Sequence, residues 1–296
     1  MAGMTKPRVA FIGIGVMGKS MAGHLLDAGY PLSVYNRTQS KTDDLVARGA
    51  EWRDTPAEAS KDAEIVITIV GFPKDVEETY FGEQGIFQTL GAGGLVIDMT
   101  TSSPLLAHRI AEEAGNRGCG ALDAPVSGGD LGAREARLSI MVGGSESDFE
   151  RAKPLFEIMG KNIHLQGPAG SGQHTKMCNQ VAIAAGMVAI GEALAYAKAS
   201  GLDPKKVLQS IESGAAGSWS LSNLAPRALD GNYDPGFFVK HFIKDMGIAI
   251  EAAESMNLKL PGLALAKDLY DRLAADGGAD DGTHALFRFY MEGKQA

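Results

Sequence analysis

The stretch Val9-Ala-Phe-Ile-Gly13-Ile-Gly15-Val-Met-Gly18 decides the fold of this chain. A short apolar run that ends at a glycine predicts a buried strand, and the pattern after it predicts a helix over 17–28. Three glycines at this spacing, between a strand and a helix, allow a tight turn, a close approach of the backbone to a pyrophosphate and close packing of helix on strand. The helix start supplies free N–H groups for the phosphates. The predicted dinucleotide loop consists of Gly13, Ile14, Gly15, Val16, Met17 and Gly18.

The pattern beyond this loop predicts two domains. Up to about residue 165, apolar runs alternate with helical patterns, which indicates an α/β fold with a doubly wound, Rossmann-type parallel sheet. Strands are predicted at 32–35, 64–70, 95–98, 120–123 and 138–142, and helices at 41–48, 104–114 and 148–159. After the small-residue segment 167–172 only helices are predicted, at 176–200, 204–212, 242–256 and 263–275. We therefore predict a dinucleotide-binding domain over 1–166 and an all-helical substrate and dimerisation domain over 167–296.

Composition excludes several classes of protein. The 296 residues carry a formal net charge of −8, which argues against nucleic acid and anionic membranes as partners. A hydrophobic content of 45% is that of a globular protein rather than a disordered one. The two cysteines, Cys119 and Cys178, form no C-x-x-C pair, and the six histidines lack the spacing of metal ligands. Neither a signal peptide nor a membrane span is predicted, so we expect a cytoplasmic protein without a metal site.

An all-round apolar helix is predicted early in the second domain. Residues 181–191 are apolar or small, and a helix without a polar face is normally buried. This segment is interpreted either as the central helix of the helical domain or as part of a subunit interface.

The end of the second predicted strand bears on the choice of dinucleotide. In the dinucleotide fold an acidic residue about 20 positions after the glycines binds the ribose 2′-hydroxyl. Here that place is taken by Asn36, Arg37 and Thr38, which include no acid. Because a guanidinium pairs with a 2′-phosphate and a carboxylate repels it, we predict that NADP(H) is preferred, with NAD(H) as the alternative. An ordinary exposed arginine in a loop is the simpler interpretation of Arg37.

Four ordered motifs resemble the β-hydroxyacid dehydrogenase family, to which 3-hydroxyisobutyrate dehydrogenase, tartronate semialdehyde reductase, glyoxylate and succinic semialdehyde reductases and, more distantly, 6-phosphogluconate dehydrogenase belong. The glycine loop with Asn36–Thr38 is the first. Asp123-Ala-Pro-Val-Ser-Gly-Gly129 is similar to the family's substrate-binding segment. Gly170-Ser-Gly-Gln-His-Thr-Lys-Met-Cys-Asn-Gln180 is similar to its catalytic segment, and Phe242-Ile-Lys-Asp245 to its late Lys-Asp pair. The resemblance covers the whole chain in the family's order.

The resemblance assigns roles to single residues. It implies that Lys176 is the catalytic acid and base, and a lysine entering apolar surroundings has its pKa lowered towards neutrality. Read alone, a lysine at a helix start is usually just solvated. Ser127, Gly128 and Gly129 form a backbone nest suited to a carboxylate, although an ordinary Gly-Gly turn fits the same letters. The resemblance also implies cofactor contacts from Val70, Gly71, Phe72, Thr101 and Lys244, with Asp245 orienting the last.

Two amides follow the lysine on one helix face. Asn179 and Gln180 lie three and four residues after Lys176, so either could hydrogen-bond the substrate. Several family members have asparagine at the second of these positions, where this chain has Gln180. The sequence therefore leaves open which amide is the main substrate contact.

The sequence thus predicts an NADP(H)-preferring oxidoreductase that acts on a short 3-hydroxy acid held between its domains. The first choice of substrate is 3-hydroxyisobutyrate with methylmalonate semialdehyde, and the alternative is reduction of tartronate semialdehyde, glyoxylate or succinic semialdehyde. A non-catalytic NADP(H)-binding protein is the rival of another class, but such a protein has no need of Lys176 beside two amides. An imine reductase on the same fold is disfavoured because those enzymes generally replace the lysine. A homodimer or homotetramer is expected from the resemblance.

Overall fold

The structure is a computed structural model that describes residues 6–294. Within these residues one sheet has the order β3-β2-β1-β4-β5-β6-β8-β7, and β9 pairs with β8. All pairings from β3 to β6 are parallel, whereas β8 runs antiparallel to β6 and β7. The predicted doubly wound α/β fold is confirmed. The strands are β1 (Val9–Ile12), β2 (Leu32–Tyr35), β3 (Glu51–Trp52), β4 (Ile65–Thr68), β5 (Leu95–Asp98), β6 (Gly120–Asp123), β7 (Val126–Ser127), β8 (Leu138–Gly144) and β9 (Gly160–Gly167).

Three of these strands were not predicted from the sequence. β3 and β7 have only two residues each, which is too short for a recognisable alternation. β9 contains Lys161, Asn162, His164 and Gln166, so its apolar content is low, and its strand form depends on pairing with β8 at the sheet's end. Tertiary pairing decides these segments, not local propensity.

The central strands bring their carboxyl ends to one edge of the sheet. β1, β4 and β5 are buried along their whole length, as their continuous apolar sequences require. The register aligns Ile12 with Thr68, Thr68 with Asp98, and Asp98 with Asp123. Ligands of open α/β sheets bind outside this edge, so this row of residues marks where a site is expected.

The chain divides into two compact units, Met1–Lys176 and Met177–Ala296. The helices before residue 171 are α1 (Val16–Asp27), α2 (Asp43–Ala47), α3 (Pro56–Ser60), α4 (Pro73–Phe81), α5 (Pro104–Asn116), α6 (Gly129–Arg134) and α7 (Glu146–Met159). Those after it are α8 (Ser171–Ala199), α9 (Pro204–Ile211), α10 (Trp219–Asn223), α11 (Ala225–Leu229), α12 (Val239–Ser255), α13 (Pro261–Leu273) and α14 (Ala285–Met291). The division falls within α8.

Two predicted helix boundaries were wrong. The sequence places Lys176 at a helix start, but α8 begins at Ser171 and Lys176 is its sixth residue. The early start is stabilised by a distant carboxylate, described below. The sequence also starts a helix at residue 242, whereas α12 begins at Val239, and Lys244 lies inside the helix in both cases. Three short helices of the second unit, α10, α11 and α14, were not predicted because one or two turns carry little periodic signal.

The predicted apolar helix is α8, and its burial is incomplete. Ala184, Met187, Ile190 and Leu194 pack in the core of the second unit. Ile183, by contrast, is 36% exposed in the single chain, so α8 is a central helix on one face, and the alternative of a subunit interface on the other face stays a prediction. Within the part of the chain that the structure describes, α8 is the one helix long and apolar enough to cross a membrane by length and composition, and 44% of its most apolar window is buried.

Candidate functional site

The glycine loop has the geometry of a phosphate cradle. Gly13 adopts φ +102°, and a Cβ there would overlap the carbonyl oxygen of Ile69. A Cβ on Gly18 would overlap the carbonyl oxygen of Gly13, whereas a Cβ on Gly15 would meet nothing within 4 Å. Gly15 caps α1 without a side-chain acceptor, and the first turn of that helix carries no acid. Open space beside free N–H groups fits a pyrophosphate.

The loop after β2 is tied to the glycine loop by an amide. Asn36 accepts a hydrogen bond from Ile14 N at 3.0 Å through Oδ1 and donates from Nδ2 to the Thr38 carbonyl oxygen at 2.9 Å. The structure therefore brings two of the sequence-predicted segments, 13–18 and 36–38, into contact. Both ends of the Asn36 amide are used for this purpose.

Arg37 has an acidic partner that the sequence did not reveal. Its guanidinium lies 3.0 Å from Asp75 Oδ1, and the Arg37 side chain is 77% exposed while that of Asp75 is 19% exposed. The other oxygen of Asp75 accepts from Phe72 N at 3.0 Å and so fixes the start of α4. Asp75 is 38 residues from Arg37 in the chain, and no sequence pattern connects the two.

The loops after β4 and β5 are joined beneath the sheet edge. Val70 N donates to Thr100 Oγ1 at 2.9 Å, which places the segment Val70–Phe72 beside Thr100 and Thr101. Asp98 Oδ1 accepts from Thr68 Oγ1 at 2.8 Å and from Thr100 N at 3.1 Å. Burial raises the pKa of Asp98 to about 6, and the hydrogen bonds from Thr100 and Thr68 only partly offset this.

The start of α8 is held against the same edge by a buried carboxylate. Asp123, at the end of β6, accepts from Gly170 N and from Gln173 N, both at 2.7 Å. A Cβ on Gly172 would overlap the Asp123 carbonyl oxygen, so only glycine allows this approach. Burial raises the pKa of Asp123 to about 6. The hydrogen bonds from Gln173 and Gly170 lower this pKa, but by less than burial raises it. This carboxylate explains why the helix begins before Lys176.

A buried glutamine completes this attachment. Gln173 is fully buried; its Oε1 accepts from Ser102 N at 2.9 Å, and its Nε2 donates to the Thr100 carbonyl oxygen at 2.7 Å. Lys176 follows one turn later and is itself buried, with 7% of its surface exposed. The lysine therefore sits on a helix turn anchored to the ends of both β5 and β6. Sequence analysis gave neither Asp123 nor Gln173 a role, although both lie in the motifs it quoted.

The predicted carboxylate nest lies at the end of β7. Ser127 is half-buried, and the next two residues, Gly128 and Gly129, adopt φ +132° and +63°. Residues with a side chain rarely adopt these backbone angles, so both positions favour glycine. Successive backbone N–H groups in such a turn form a concave site for an anion.

Three predicted residues meet in the second unit, around Asp245. Lys244 Nζ lies 3.1 Å from Asp245 Oδ1, and the two groups form an ion pair. Among the described residues, no hydrogen bond of ordinary geometry reaches this oxygen. Gln180 Nε2 donates to Asp245 Oδ2 at 2.5 Å, and Asn179 Nδ2 donates to Gln180 Oε1 at 2.8 Å. Gln180 is 1% exposed, whereas Asn179 is half-buried. The two amides that the sequence could not rank therefore differ in their surroundings.

No cluster of three or more His, Cys, Asp or Glu side chains within residues 6–294 is placed to hold a metal ion. The first unit holds a glycine cradle and a buried lysine, and the second unit, described by itself, holds hydrogen-bonding amides. These groups suit a nucleotide and a small polar molecule.

Models of known protein families match both parts of the chain. Residues 8–167 match the NAD binding domain of 6-phosphogluconate dehydrogenase, and residues 170–290 match the family described as NAD-binding of NADP-dependent 3-hydroxyisobutyrate dehydrogenase. The chain is 58% identical to an uncharacterised oxidoreductase of Bacillus subtilis, over 97% of this chain and 100% of the relative. It is 47% identical to the probable 3-hydroxyisobutyrate dehydrogenase-like 1 of Arabidopsis thaliana, over 94% and 84%.

A solved structure is also closely similar. The 3-hydroxyisobutyrate dehydrogenase of Mycobacterium tuberculosis, determined with L-serine, superposes with a TM-score of 0.88 at 31% sequence identity. The similarity covers 96% of this chain and 98% of that one.

Proposed function

Because the chain belongs to the β-hydroxyacid dehydrogenase family, a family of nicotinamide-dependent oxidoreductases, we propose that it interconverts a short 3-hydroxy acid and its semialdehyde with NADP(H). The observation that carries this proposal is the placement of Lys176. It is a buried lysine on a helix turn that Asp123 and Gln173 attach to the carboxyl edge of the sheet, the edge at which the glycine cradle lies.

The proposed role of Lys176 is proton transfer at the substrate oxygen. A bound nicotinamide supplies the acceptor or donor of the hydride. The Lys176 side chain is buried, and its amine, when neutral, takes the hydroxyl proton during oxidation. In reduction the ammonium returns a proton to the forming alkoxide, and its charge stabilises the developing oxyanion. The attachment of residues 170–173 restricts the position of the helix turn that carries Nζ. Holding a reacting group in the right geometry raises the reaction rate.

Substrate carboxylate binding is assigned to the nest at Ser127, Gly128 and Gly129. Positive φ at both glycines presents backbone N–H groups, and the Ser127 hydroxyl adds a further donor. Asn179, which is half-buried, is the proposed amide contact to the substrate. The nest favours hydroxy acids over simple alcohols, because an alcohol without a carboxylate would leave the N–H groups of the nest unpaired.

The preference for NADP(H) is proposed from Arg37. The position that usually carries an acid is Asn36, which is occupied in bracing the glycine loop. Arg37 is exposed and held by one oxygen of Asp75, so its guanidinium retains donors for a 2′-phosphate. Asp75 also competes for that guanidinium, which limits the expected preference to a moderate ratio.

The substrate proposed first is 3-hydroxyisobutyrate, with methylmalonate semialdehyde as its oxidised form. Tartronate semialdehyde, glyoxylate and succinic semialdehyde are the alternatives in the reducing direction. The Mycobacterium tuberculosis relative was determined with L-serine, which is also a 3-hydroxy acid, and this adds L-serine to the compounds to be compared.

The test is the change in nicotinamide absorbance with purified protein. NADP+ and NAD+ are offered with 3-hydroxyisobutyrate, 3-hydroxypropionate, glycerate and L-serine, and NADPH with the semialdehydes and glyoxylate. Turnover of one hydroxy acid, with kcat/KM higher for NADP+ than for NAD+, is expected. Arg37→Ala should lower NADP+ affinity about tenfold and leave NAD+ unchanged, while Arg109→Ala, which removes the same charge from α5, should change neither. Binding of NADPH without turnover of any compound would contradict the proposal.

A further inference from the structure

We infer that Gln180 is a positioning residue that connects the Lys244 ammonium to the Asn179 amide through Asp245, and that it does not itself contact substrate. The inference rests on the proposed function in taking Lys244 as a cofactor contact and Asn179 as a substrate contact. The connection itself lies wholly within the second unit and is drawn from three measured contacts.

Burial and saturation both argue against Gln180 as a substrate ligand. Its side chain is 1% exposed, and both of its amide atoms already have partners. Turning the amide towards a substrate would break the hydrogen bond to Asp245 or the one from Asn179, and burial leaves little surface for a substrate to approach the remaining N–H and lone pair. A buried polar group that loses its partner destabilises the protein, and the loss is larger when the group is charged.

The direction of each hydrogen bond follows from the carboxylate. A carboxylate oxygen accepts hydrogen bonds, so Gln180 turns its Nε2 towards Asp245. Gln180 Oε1 then faces Asn179 and accepts from Nδ2. Asn179 is left with Oδ1 and one remaining N–H, the two groups with which it can meet a substrate. Flipping the Asn179 amide would set two oxygens against each other, so its orientation is fixed from Asp245.

The length of the glutamine side chain makes this connection possible. Asp245 is 65 residues away on α12, whereas Asn179 is the adjacent residue on α8. A single side chain reaches both only because its amide lies far enough from the α8 backbone. Asparagine at this position is one methylene shorter, so it should keep at most one of the two bonds.

The same carboxylate also sets the position of the lysine. Asp245 Oδ2 is used by Gln180, and Oδ1 lies 3.1 Å from Lys244 Nζ in an ion pair buried on both sides. If Gln180 releases Asp245, the carboxylate is free to turn towards the ammonium. We therefore expect changes at Gln180 to alter how Lys244 holds the cofactor, although Gln180 does not touch the cofactor.

The experiment uses Gln180→Met, which preserves volume and removes both hydrogen bonds, together with Gln180→Asn, Asp245→Asn and the double variant. NADPH affinity is measured by fluorescence titration, so it is independent of turnover, and KM and kcat are measured with the best hydroxy acid. Gln180→Met should weaken NADPH binding about tenfold and also raise the KM of the hydroxy acid. Gln180→Asn should lie between Gln180→Met and the wild type. The double variant should be no weaker in NADPH binding than the worse single variant, because both act through one connection.

A matched control separates positioning from loss of stability. Leu269→Ala, in the core of the second unit on α13, should lower the midpoint of urea denaturation and leave NADPH affinity unchanged. If Gln180→Met behaves like Leu269→Ala, or if it changes only the KM of the hydroxy acid, the inference is overturned. If NADPH affinity responds as expected while the wild type turns over no hydroxy acid, the connection stands and the proposed reaction is what fails.

Discussion

Two glutamines on the same helix do different work. Gln173 and Gln180 stand seven residues apart on α8, both almost wholly buried, and Lys176 lies between them. The amide of Gln173 bonds to backbone groups, Ser102 N and the Thr100 carbonyl oxygen. That of Gln180 bonds only to side chains.

The difference teaches how one helix can hold the proposed catalytic lysine in place and also adjust the side chains that follow it. Backbone partners are fixed by the strand ends, so Gln173 resists displacement and holds its helix turn in one place. Side-chain partners are connected to the backbone through rotatable bonds, so in the proposed connection a change at Asn179 or Asp245 passes through Gln180. A rigid attachment suits the proton transfer proposed for Lys176, and an adjustable one suits the ligand contacts proposed for Asn179 and Lys244.

The largest effect should come from breaking the rigid attachment. Gln173→Met leaves Ser102 N and the Thr100 carbonyl oxygen buried without partners, so the free energy of unfolding should fall by about 4 kcal/mol. kcat should fall with it, because the Lys176 turn loses an anchor. Urea denaturation followed by fluorescence measures the first quantity. An unfolding free energy equal to that of Gln180→Met would erase the distinction between the two glutamines.

A pH experiment tests the strand ends to which Gln173 is attached. Asp98 accepts a hydrogen bond from Thr100 N, and Gln173 bonds to the carbonyl oxygen of the same residue. Burial raises the pKa of Asp98 to about 6, from an ordinary value of 3.8. Above pH 6 the folded protein holds a desolvated carboxylate, a cost that is absent from the unfolded chain. As the pH falls from about 6 to 4, the folded state binds the proton first, so this group adds about 2–3 kcal/mol to the free energy of unfolding.

Asp98→Asn is the comparison that isolates this group. As the pH is lowered from 7 to 4, the free energy of unfolding of the wild type should rise relative to that of the variant. The reason is that the asparagine at position 98 does not titrate, whereas Asp98 takes up a proton. Guanidinium denaturation at each pH gives that difference. A constant difference across the range would mean that Asp98 is not protonated in the folded protein at these pH values.

A smaller effect is expected at Asp123, the second anchor of the Lys176 turn. Asp123→Asn keeps one acceptor for Gly170 N and Gln173 N but sets an amide donor against the other, costing about 2 kcal/mol of unfolding free energy. Since this cap positions Lys176, kcat should fall too. Thr55→Ala removes the cap of α3 for about 1 kcal/mol and should leave kcat unchanged. Equal kcat values for the two variants would deny Asp123 its positioning role.

The sequence predicted the parts of the fold whose signals are local. The glycines at 13, 15 and 18 identified the loop because each meets a steric requirement within a few residues. The continuous apolar runs of β4 and β5 identified central strands for the same reason. Strand β9, with polar residues along its length, needed its partner β8 and was not predicted.

The contacts around the candidate site were harder to predict because they join distant positions. Asp75 reaches Arg37 across 38 residues, and Asp123 reaches Gln173 across 50. A single sequence carries no record of such pairs. The helix start at Ser171 was missed for this reason, since the carboxylate that stabilises it belongs to a strand.

The most direct test of the account replaces Lys176 by methionine and by arginine and measures turnover beside NADPH affinity. Because general acid–base catalysis contributes about 10²–10⁴-fold, Lys176→Met should lose at least a hundredfold in kcat while binding NADPH within about twofold of wild type. Lys176→Arg keeps the charge but cannot become a neutral base, so it too should fail to oxidise the hydroxy acid. Near-normal oxidation by either variant would contradict the proton-transfer role of Lys176.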